Sequence, residues 1–391
     1  MVNKKGQKGQ RSYSAYNASN YLIASPASAS PSTIDNDAGA KQESELGEEN
    51  GVGAEAAFAK DKHALYQRAV QSPKGDISYL QKFFLNYVGG RTPLHLREDF
   101  CGTALICTEW VRADSRRTAV GLDLDEEALR WGLQNNICKA GVDAYNRVHL
   151  FCGNVLDDIS RASRILADES LVPELTRKLE EQSLHDENER VDLDGPSSNV
   201  EGPSDPGAFS AAQMLPGADM VCSFNYSCCC LQKRADLVKY FREALKTIHE
   251  DGGIFAMDLY GGTSSECALK LRRRFEKFSY TWEQEEFDIV NRTTRISLHF
   301  RLNNNQGIIR HAFSYYWRLW TIPEVKECLL EAGFSSVHIW IKQMSDTHER
   351  DDDEATATDS KAKYEEVTSF LQEDAWNAYI VAVAPRKFRP K

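Results

Sequence analysis

Apolar and polar positions alternate along the middle of the chain in a way that predicts strands and helices in turn. Short apolar runs of strand length occupy Leu94–Asp99, Ala119–Leu124 and Val148–Cys152. Two more follow at Asp219–Phe224 and Gly253–Leu259. Segments with helical spacing separate most of these runs, which is typical of a parallel sheet with helices on both faces. The pattern therefore predicts an α/β, Rossmann-like doubly wound sheet.

The chain on either side of this alternation extends the prediction. Helix formers fill 56–72, and a second helix is expected over Ile77–Val88. Near the other end, Thr321–Glu324 has the form of a capping box, which starts a helix. Strands are then expected at Val337–Ile341 and Trp376–Ala384. Helix, strand, long connection and final strand predict a sheet that is mostly parallel, with an antiparallel last strand.

Four segments depart from this pattern. Residues 1–55 are biased in composition and are expected to form a disordered tail, which leaves one domain over 56–391. Residues 175–217 read as a disordered surface insertion, and 343–364 as an acidic loop. Residues 275–318 are rich in aromatic and β-branched residues, so an appended antiparallel β-sheet is expected there.

The first predicted turn indicates the ligand. Glu98–Thr103 reads as an acidic strand end followed by a turn around Gly102, and Asp123 ends the next strand. A βαβ unit of this layout binds an adenosine, whose ribose hydroxyls donate to the second acid. Phe100 and Ala104 stand where a dinucleotide fingerprint has glycines that admit a pyrophosphate. The pattern therefore favours an adenosine without phosphates, and S-adenosyl-L-methionine is the candidate.

Composition narrows the alternatives. A net charge of −11 disfavours a broad nucleic-acid-binding face, and no apolar run has the length of a membrane span. Most of the ten cysteines fall within predicted elements, which indicates reduced thiols and an intracellular, cytoplasmic protein. The Ser- and Ala-rich tail leaves organellar or nuclear import open. Cys228–Cys230 are consecutive and lack the usual ligand spacing, so no metal is expected.

With these residues in place, the chain resembles class I S-adenosylmethionine-dependent methyltransferases over about 56–385. The likeness is strongest to a subgroup that pairs a Glu-Asp-Phe-Cys-Gly-Thr cofactor turn with a late Trp-Arg-Leu-Trp-Thr segment, here Glu98–Thr103 and Trp317–Thr321. It implies the fold, the cofactor and a methyltransferase activity. It does not imply the acceptor, because one fold serves many.

The resemblance also implies roles for single residues. Glu98 would orient the turn and the methionine amine, and Asp123 would hold the ribose. Phe224 would lie beside the cofactor, and Tyr66 would contact it from a helical lid, although that helix could equally be structural. Asn225 and Tyr226 would face the methyl group as catalytic residues. The remaining cofactor-binding residues it implies are Phe100, Cys101, Gly102, Leu124, Asn154 and Val155.

The acceptor site is expected above the ends of the parallel strands, under the appended sheet. Tyr260, Trp317 and Arg318 are its candidate residues: the rings as aromatic walls, and Arg318 as a partner for an acceptor carboxylate. The alternative is that the aromatic residues form the interior of the appended sheet and that Arg318 pairs with an acid of the protein. Arg97, a charge within a strand, requires either Asp99 or the cofactor carboxylate as partner.

These observations favour in-line methyl transfer to a small-molecule acceptor. A protein acceptor remains possible, whereas nucleic acid is disfavoured and no membrane partner is expected. Two further readings stay open. One is an RNA methyltransferase, which the acidic balance opposes; the other is a scaffold that binds the cofactor without turnover.

Overall fold

The computed structural model describes the chain in segments, and structural statements below concern these segments alone: 61–167, 215–303, 307–344, 347 and 363–386. The predicted tail over 1–55 lies outside the described residues, as do most of the predicted insertion over 175–217 and most of the acidic loop over 343–364.

A nine-stranded sheet forms the centre of the described structure. Its strands are β1 (His95–Asp99), β2 (Thr118–Asp123), β3 (Val148–Cys152), β4 (Ser163–Ile165), β5 (Met220–Ser223), β6 (Ile254–Gly261), β11 (Ser336–Gln343), β12 (Glu365–Glu366) and β13 (Trp376–Val383). They lie in the order β12-β11-β13-β6-β5-β1-β2-β3-β4. Strand β1 is therefore central, with β2 on one side and β5 on the other.

The direction of these strands confirms the predicted fold class. Strands β3, β2, β1, β5 and β6 are parallel neighbours. Strand β13 runs antiparallel between β6 and β11. The late strand pair therefore closes a mostly parallel sheet with an antiparallel member, as the order of elements in the sequence predicts.

Helices cover both faces of the sheet. They are α1 (Lys62–Val70), α2 (Pro73–Tyr87), α3 (Leu105–Arg112), α4 (Glu126–Gly132), α5 (Val142–Arg147), α6 (Arg234–Thr247) and α7 (Ile322–Ala332). Because successive side chains of a strand point to opposite faces, the sheet contributes to two separate cores. One core contains α2, α3 and α5, and the other contains α1, α6 and α7 together with the appended sheet. Helix α7 begins with the expected capping box of Thr321 and Glu324.

The appended sheet is antiparallel and has the order β10-β9-β8-β7. Its strands are β7 (Leu269–Arg274), β8 (Phe278–Gln284), β9 (Thr293–Leu302) and β10 (Ile308–Arg318). The last three correspond to the aromatic segments of the sequence. Strand β7 is an addition to the prediction, because Lys270 and the following arginines interrupt the apolar alternation by which a strand is recognised.

Candidate functional site

The turn after β1 takes the backbone geometry of a glycine-rich loop with only one glycine. Phe100, Gly102 and Ala104 all have left-handed backbone, with φ of 56°, 51° and 52°. This conformation costs an ordinary L-residue about 1–2 kcal/mol, so surrounding contacts must hold it. A Cβ placed on Gly102 would meet no atom within 4 Å. The turn therefore presents bare backbone to open space at the carboxyl end of the sheet.

Asp123, at the end of β2, holds this turn. One carboxylate oxygen accepts the N–H of Gly102 at 2.7 Å, and the other accepts the N–H of Asp125 at 2.9 Å. The side chain is 2% exposed. Asp123 thus organises the turn from the end of β2.

Two predicted cofactor residues lie beneath the turn. Glu98 is buried and accepts the N–H of Cys107 at 3.0 Å, and burial raises the pKa of this carboxyl to about 8. Cys101 is also buried, and its Sγ lies 2.9 Å from where a Cβ on Gly121 would stand. Glu98 thus contacts helix α3, which follows the turn, and Cys101 packs against β2.

Three predicted cofactor residues follow the ends of β2 and β3. Leu124 is half-buried directly after Asp123, and Val155 is buried after β3. Asn154 accepts the N–H of Leu156 through its side-chain oxygen at 2.9 Å, which leaves the amide N–H groups as donors. The structure brings these residues to the same edge of the sheet as Gly102.

Helix α1 packs over the turn. The Gln67 side chain donates to Oγ1 of Thr103 at 2.7 Å, and the indole N–H of Trp131 donates to Asp61. Tyr66, on the same helix, contacts the appended sheet: its ring lies 5.0 Å from the ring of Phe313 in β10. Helix α1 therefore lies between the turn and the appended sheet. The sequence pointed to Tyr66 here but not to Gln67.

A cavity of about 640 Å³ lies beside this region. Its walls come from the end of α1, from α2, from β7 and β8 of the appended sheet, and from the carboxyl ends of β5 and β6. Asn225, Tyr226 and Tyr260 line it. The two predicted catalytic residues and one predicted acceptor residue therefore face the same space.

Asn225 and Tyr226 are both in left-handed backbone, with φ of 58° and 59°. Asp258, on β6, accepts their two backbone N–H groups, at 3.0 Å from Asn225 and 2.8 Å from Tyr226. Burial raises the pKa of Asp258 to about 8. Two successive strained residues held by one acid are typical of a functional site. Sequence reasoning did not select Asp258 as a site residue, although an acid within a buried strand was a usable signal.

The remaining predicted acceptor residues belong to the appended sheet. Trp317 is 2% exposed and packs against Tyr226 and Trp282, so it lies behind the cavity wall. Arg318 pairs with Glu324 at 2.9 Å and stacks over Trp320 at 3.8 Å. Arg318 therefore pairs with an acid of the protein, which is the alternative to a role in binding an acceptor carboxylate. Phe224, which precedes Asn225, is buried against the ring of Tyr379.

Two other sequence features are accounted for by internal contacts. Arg97 is buried and donates to Asp99 at 2.7 Å, and the Tyr240 hydroxyl donates to the same carboxylate at 3.1 Å. The ten cysteines are free thiols. Among the described residues, no group of three or more His, Cys, Asp or Glu side chains could hold a metal ion. No described helix is long and apolar enough to cross a membrane.

No protein-family model matches the chain, and a comparison with curated proteins finds no match. Similar solved structures include an S-adenosylmethionine-dependent methyltransferase from Clostridium acetobutylicum, at 14% identity and a TM-score of 0.47, with 86% of this chain and 100% of that chain covered. The sugar N-methyltransferase KedS8 from a Streptoalloteichus species is similar at 11% identity and a TM-score of 0.46, with coverages of 89% and 98%.

A third similar structure is S-adenosylmethionine-bound CalS10, an amino pentose methyltransferase from Micromonospora echinaspora. It matches at 12% identity and a TM-score of 0.44, with 88% of this chain and 100% of that chain covered. With TM-scores below 0.5, these likenesses decide neither the ligand nor the activity of this chain.

Proposed function

We propose that the protein is an S-adenosyl-L-methionine-dependent methyltransferase that acts on a small-molecule acceptor. The observation that carries the proposal is the bare backbone at Gly102, held by Asp123, on the edge of a sheet with this strand order. A carboxylate at the end of β2 suits two ribose hydroxyls, and the amide of Asn154 suits an adenine edge. Leu124 and Val155 would supply apolar contact to the base.

The cavity of about 640 Å³ supports a small acceptor. When bound, S-adenosylmethionine supplies an electrophilic methyl group. Transfer forms a bond from an acceptor atom to that carbon and releases S-adenosylhomocysteine. Asn225 and Tyr226 would orient the acceptor, and holding reactants in line is worth up to about 7–11 kcal/mol. Where the acceptor atom carries a proton, Asp258 lines the cavity and would accept that proton in its ionised form, which predominates above a pH of about 8.

Calorimetric titration with S-adenosylmethionine tests the cofactor claim. Asp123→Asn should weaken binding at least about tenfold, because a side-chain amide opposes one of the donors that the carboxylate accepts. Asp219→Asn is the control: Asp219 is also buried and accepts two backbone N–H groups, from Leu94 and His95, at the opposite end of the sheet, and it also pairs with Arg91. Equal affinity in wild type and Asp123→Asn would refute the ribose assignment.

The acceptor is tested by incubating the full chain with methyl-labelled cofactor and a fractionated cell extract. Label in low-molecular-mass metabolites supports the proposal. Label in protein or RNA would replace the small molecule with that acceptor. If the cofactor binds and no fraction becomes labelled, the protein is a cofactor-binding scaffold.

A further inference from the structure

Arg273 occupies a position of strand β7 that faces the cavity. Leu269, Leu271 and Arg273 pair across the strands with Gln284, Trp282 and Tyr280. All six line the cavity. Directly opposite residues of an antiparallel pair share one face, so Arg273 stands on the same face as the two leucines.

The neighbours of Arg273 on the strand are on the other face and behave differently. Lys270 forms an ion pair with Glu283 at 2.9 Å. Arg272 lies opposite Thr281. Arg273, by contrast, takes part in no hydrogen bond or ion pair with the residues that the structure describes. Its side chain is exposed at the cavity, so the guanidinium is open to a partner from outside the chain.

The charge around the cavity points the same way. Among the described residues that line it, Arg68, Arg273, Arg274 and Lys342 are basic, whereas Asp76 and Asp258 are acidic. Burial raises the pKa of Tyr280, and the positive charge of Arg273 opposes that rise. This cationic surrounding stands out in a chain of net charge −11.

We propose that the acceptor carries an anionic group, a carboxylate or a phosphate, which Arg273 binds at the cavity while Asn225 and Tyr226 hold the reacting end. This inference rests on the proposed methyl transfer. A guanidinium presents paired donors that match either anion, and the aromatic wall of Tyr226, Tyr260 and Trp282 would accommodate the body of the molecule.

The test sorts acceptors by charge before the reaction. The low-molecular-mass fraction of a cell extract is separated on an anion exchanger at pH 7 into bound and unbound pools. Each pool is incubated with the full chain and methyl-labelled S-adenosylmethionine. Label should form from the bound pool only. Loss of label after treatment of that pool with a phosphatase assigns the anion to a phosphate, and survival assigns it to a carboxylate; either supports the inference.

Three variants locate the recognition. Arg273→Gln should lower kcat/KM for the labelled acceptor by about 10- to 100-fold, which is the range for losing a hydrogen bond to a charged group. Arg273→Lys should retain part of the activity, since it keeps the charge but not the paired donors. Arg272→Gln, on the opposite face of the same strand, is the control and should stay within about twofold of wild type.

The outcomes separate this inference from the proposal on which it rests. Label from the unbound pool alone, or undiminished activity of Arg273→Gln, would overturn the anionic acceptor and leave the methyltransferase intact. Equal losses in the Arg272 and Arg273 variants, with matching losses of thermal stability, would make Arg273 structural and overturn the inference. Absence of label from both pools, with cofactor binding preserved, would refute methyl transfer and this inference together.

Discussion

Asp258 should be the residue on which the shape of the loop at Asn225 and Tyr226 depends. Its carboxylate accepts the N–H groups of Asn225 and Tyr226, which both have left-handed backbone. Asp258→Ala removes both acceptors at once. Each unsatisfied N–H costs about 1–3 kcal/mol, so the free energy of unfolding should fall by about 2–6 kcal/mol. Asp258→Asn retains one acceptor and should cost about half as much.

Asp76→Asn is the matched control. Asp76 lines the same cavity, but it accepts from the Tyr379 hydroxyl at 2.6 Å, a bond that an amide oxygen also accepts. Its cost should therefore stay below about 1 kcal/mol. Urea denaturation of the three variants measures these differences. If Asp258→Ala unfolds within about 0.5 kcal/mol of wild type, the carboxylate does not hold the loop and the reasoning is wrong.

The same acid should make stability depend on pH. Burial raises the pKa of Asp258 to about 8 in the folded protein, from about 3.9 in an unfolded chain. Between those values the folded state keeps a proton that the unfolded state has lost. The contribution of Asp258 is therefore fullest at low pH and is lost as pH rises towards 8.

The difference in unfolding free energy between wild type and Asp258→Asn isolates this effect, because titrations of Glu98 and Asp76 are common to both proteins and largely cancel. The difference should shrink between pH 5 and pH 8, by at most about 1.4 kcal/mol per pH unit. A difference that grows with pH would show that the folded protein holds Asp258 as a stabilised carboxylate.

Three further changes have defined outcomes. Gly102→Ala should lower the free energy of unfolding by about 1–2 kcal/mol, as should the control Gly90→Ala, where φ is +71°. Only Gly102→Ala should weaken S-adenosylmethionine binding in calorimetry; equal affinities in the two variants would remove Gly102 from the cofactor site. Gly132 lies in helix α4, where alanine is normally favoured over glycine. Gly132→Ala should nevertheless lower the free energy of unfolding in urea by about 1–3 kcal/mol, because the new Cβ would lie 2.2 Å from the carbonyl oxygen of Thr103. A gain in stability would contradict that contact. Arg318→Gln should cost about 1 kcal/mol and leave the KM of methyl transfer unchanged, whereas a raised KM would return Arg318 to the acceptor site.

The parallel core could be predicted from the sequence because its signals are local. Each core strand is a short apolar run, and the predicted Val148–Cys152 has the bounds of β3. The antiparallel direction of the last strand could also be predicted, from the order of helix, strand, long connection and final strand, whereas its place between β6 and β11 was not predicted. Strand β7 was not predicted because basic residues occupy its exposed face and Arg273 lies on its cavity face, so apolar and polar residues do not alternate regularly along it.

The site was less predictable because its decisive contacts are distant in sequence. Asp258 is an ordinary acid in a strand until the fold brings it to the N–H groups of Asn225 and Tyr226, 33 and 32 residues away. Phe100 also looked unsuited to a glycine position, yet its backbone takes φ of 56°. Side-chain type predicts backbone preference but not the strain that surrounding contacts can sustain.

Helix α1 has a consequence for how two ligands would communicate. Gln67 ties the helix to the cofactor turn, while Arg68 and Ala69, the next two residues, belong to the wall of the acceptor cavity. Any shift of the helix that widens access to the turn therefore also reshapes the cavity. A ligand that displaced the helix at one site would therefore alter the affinity at the other, by the same factor in both directions.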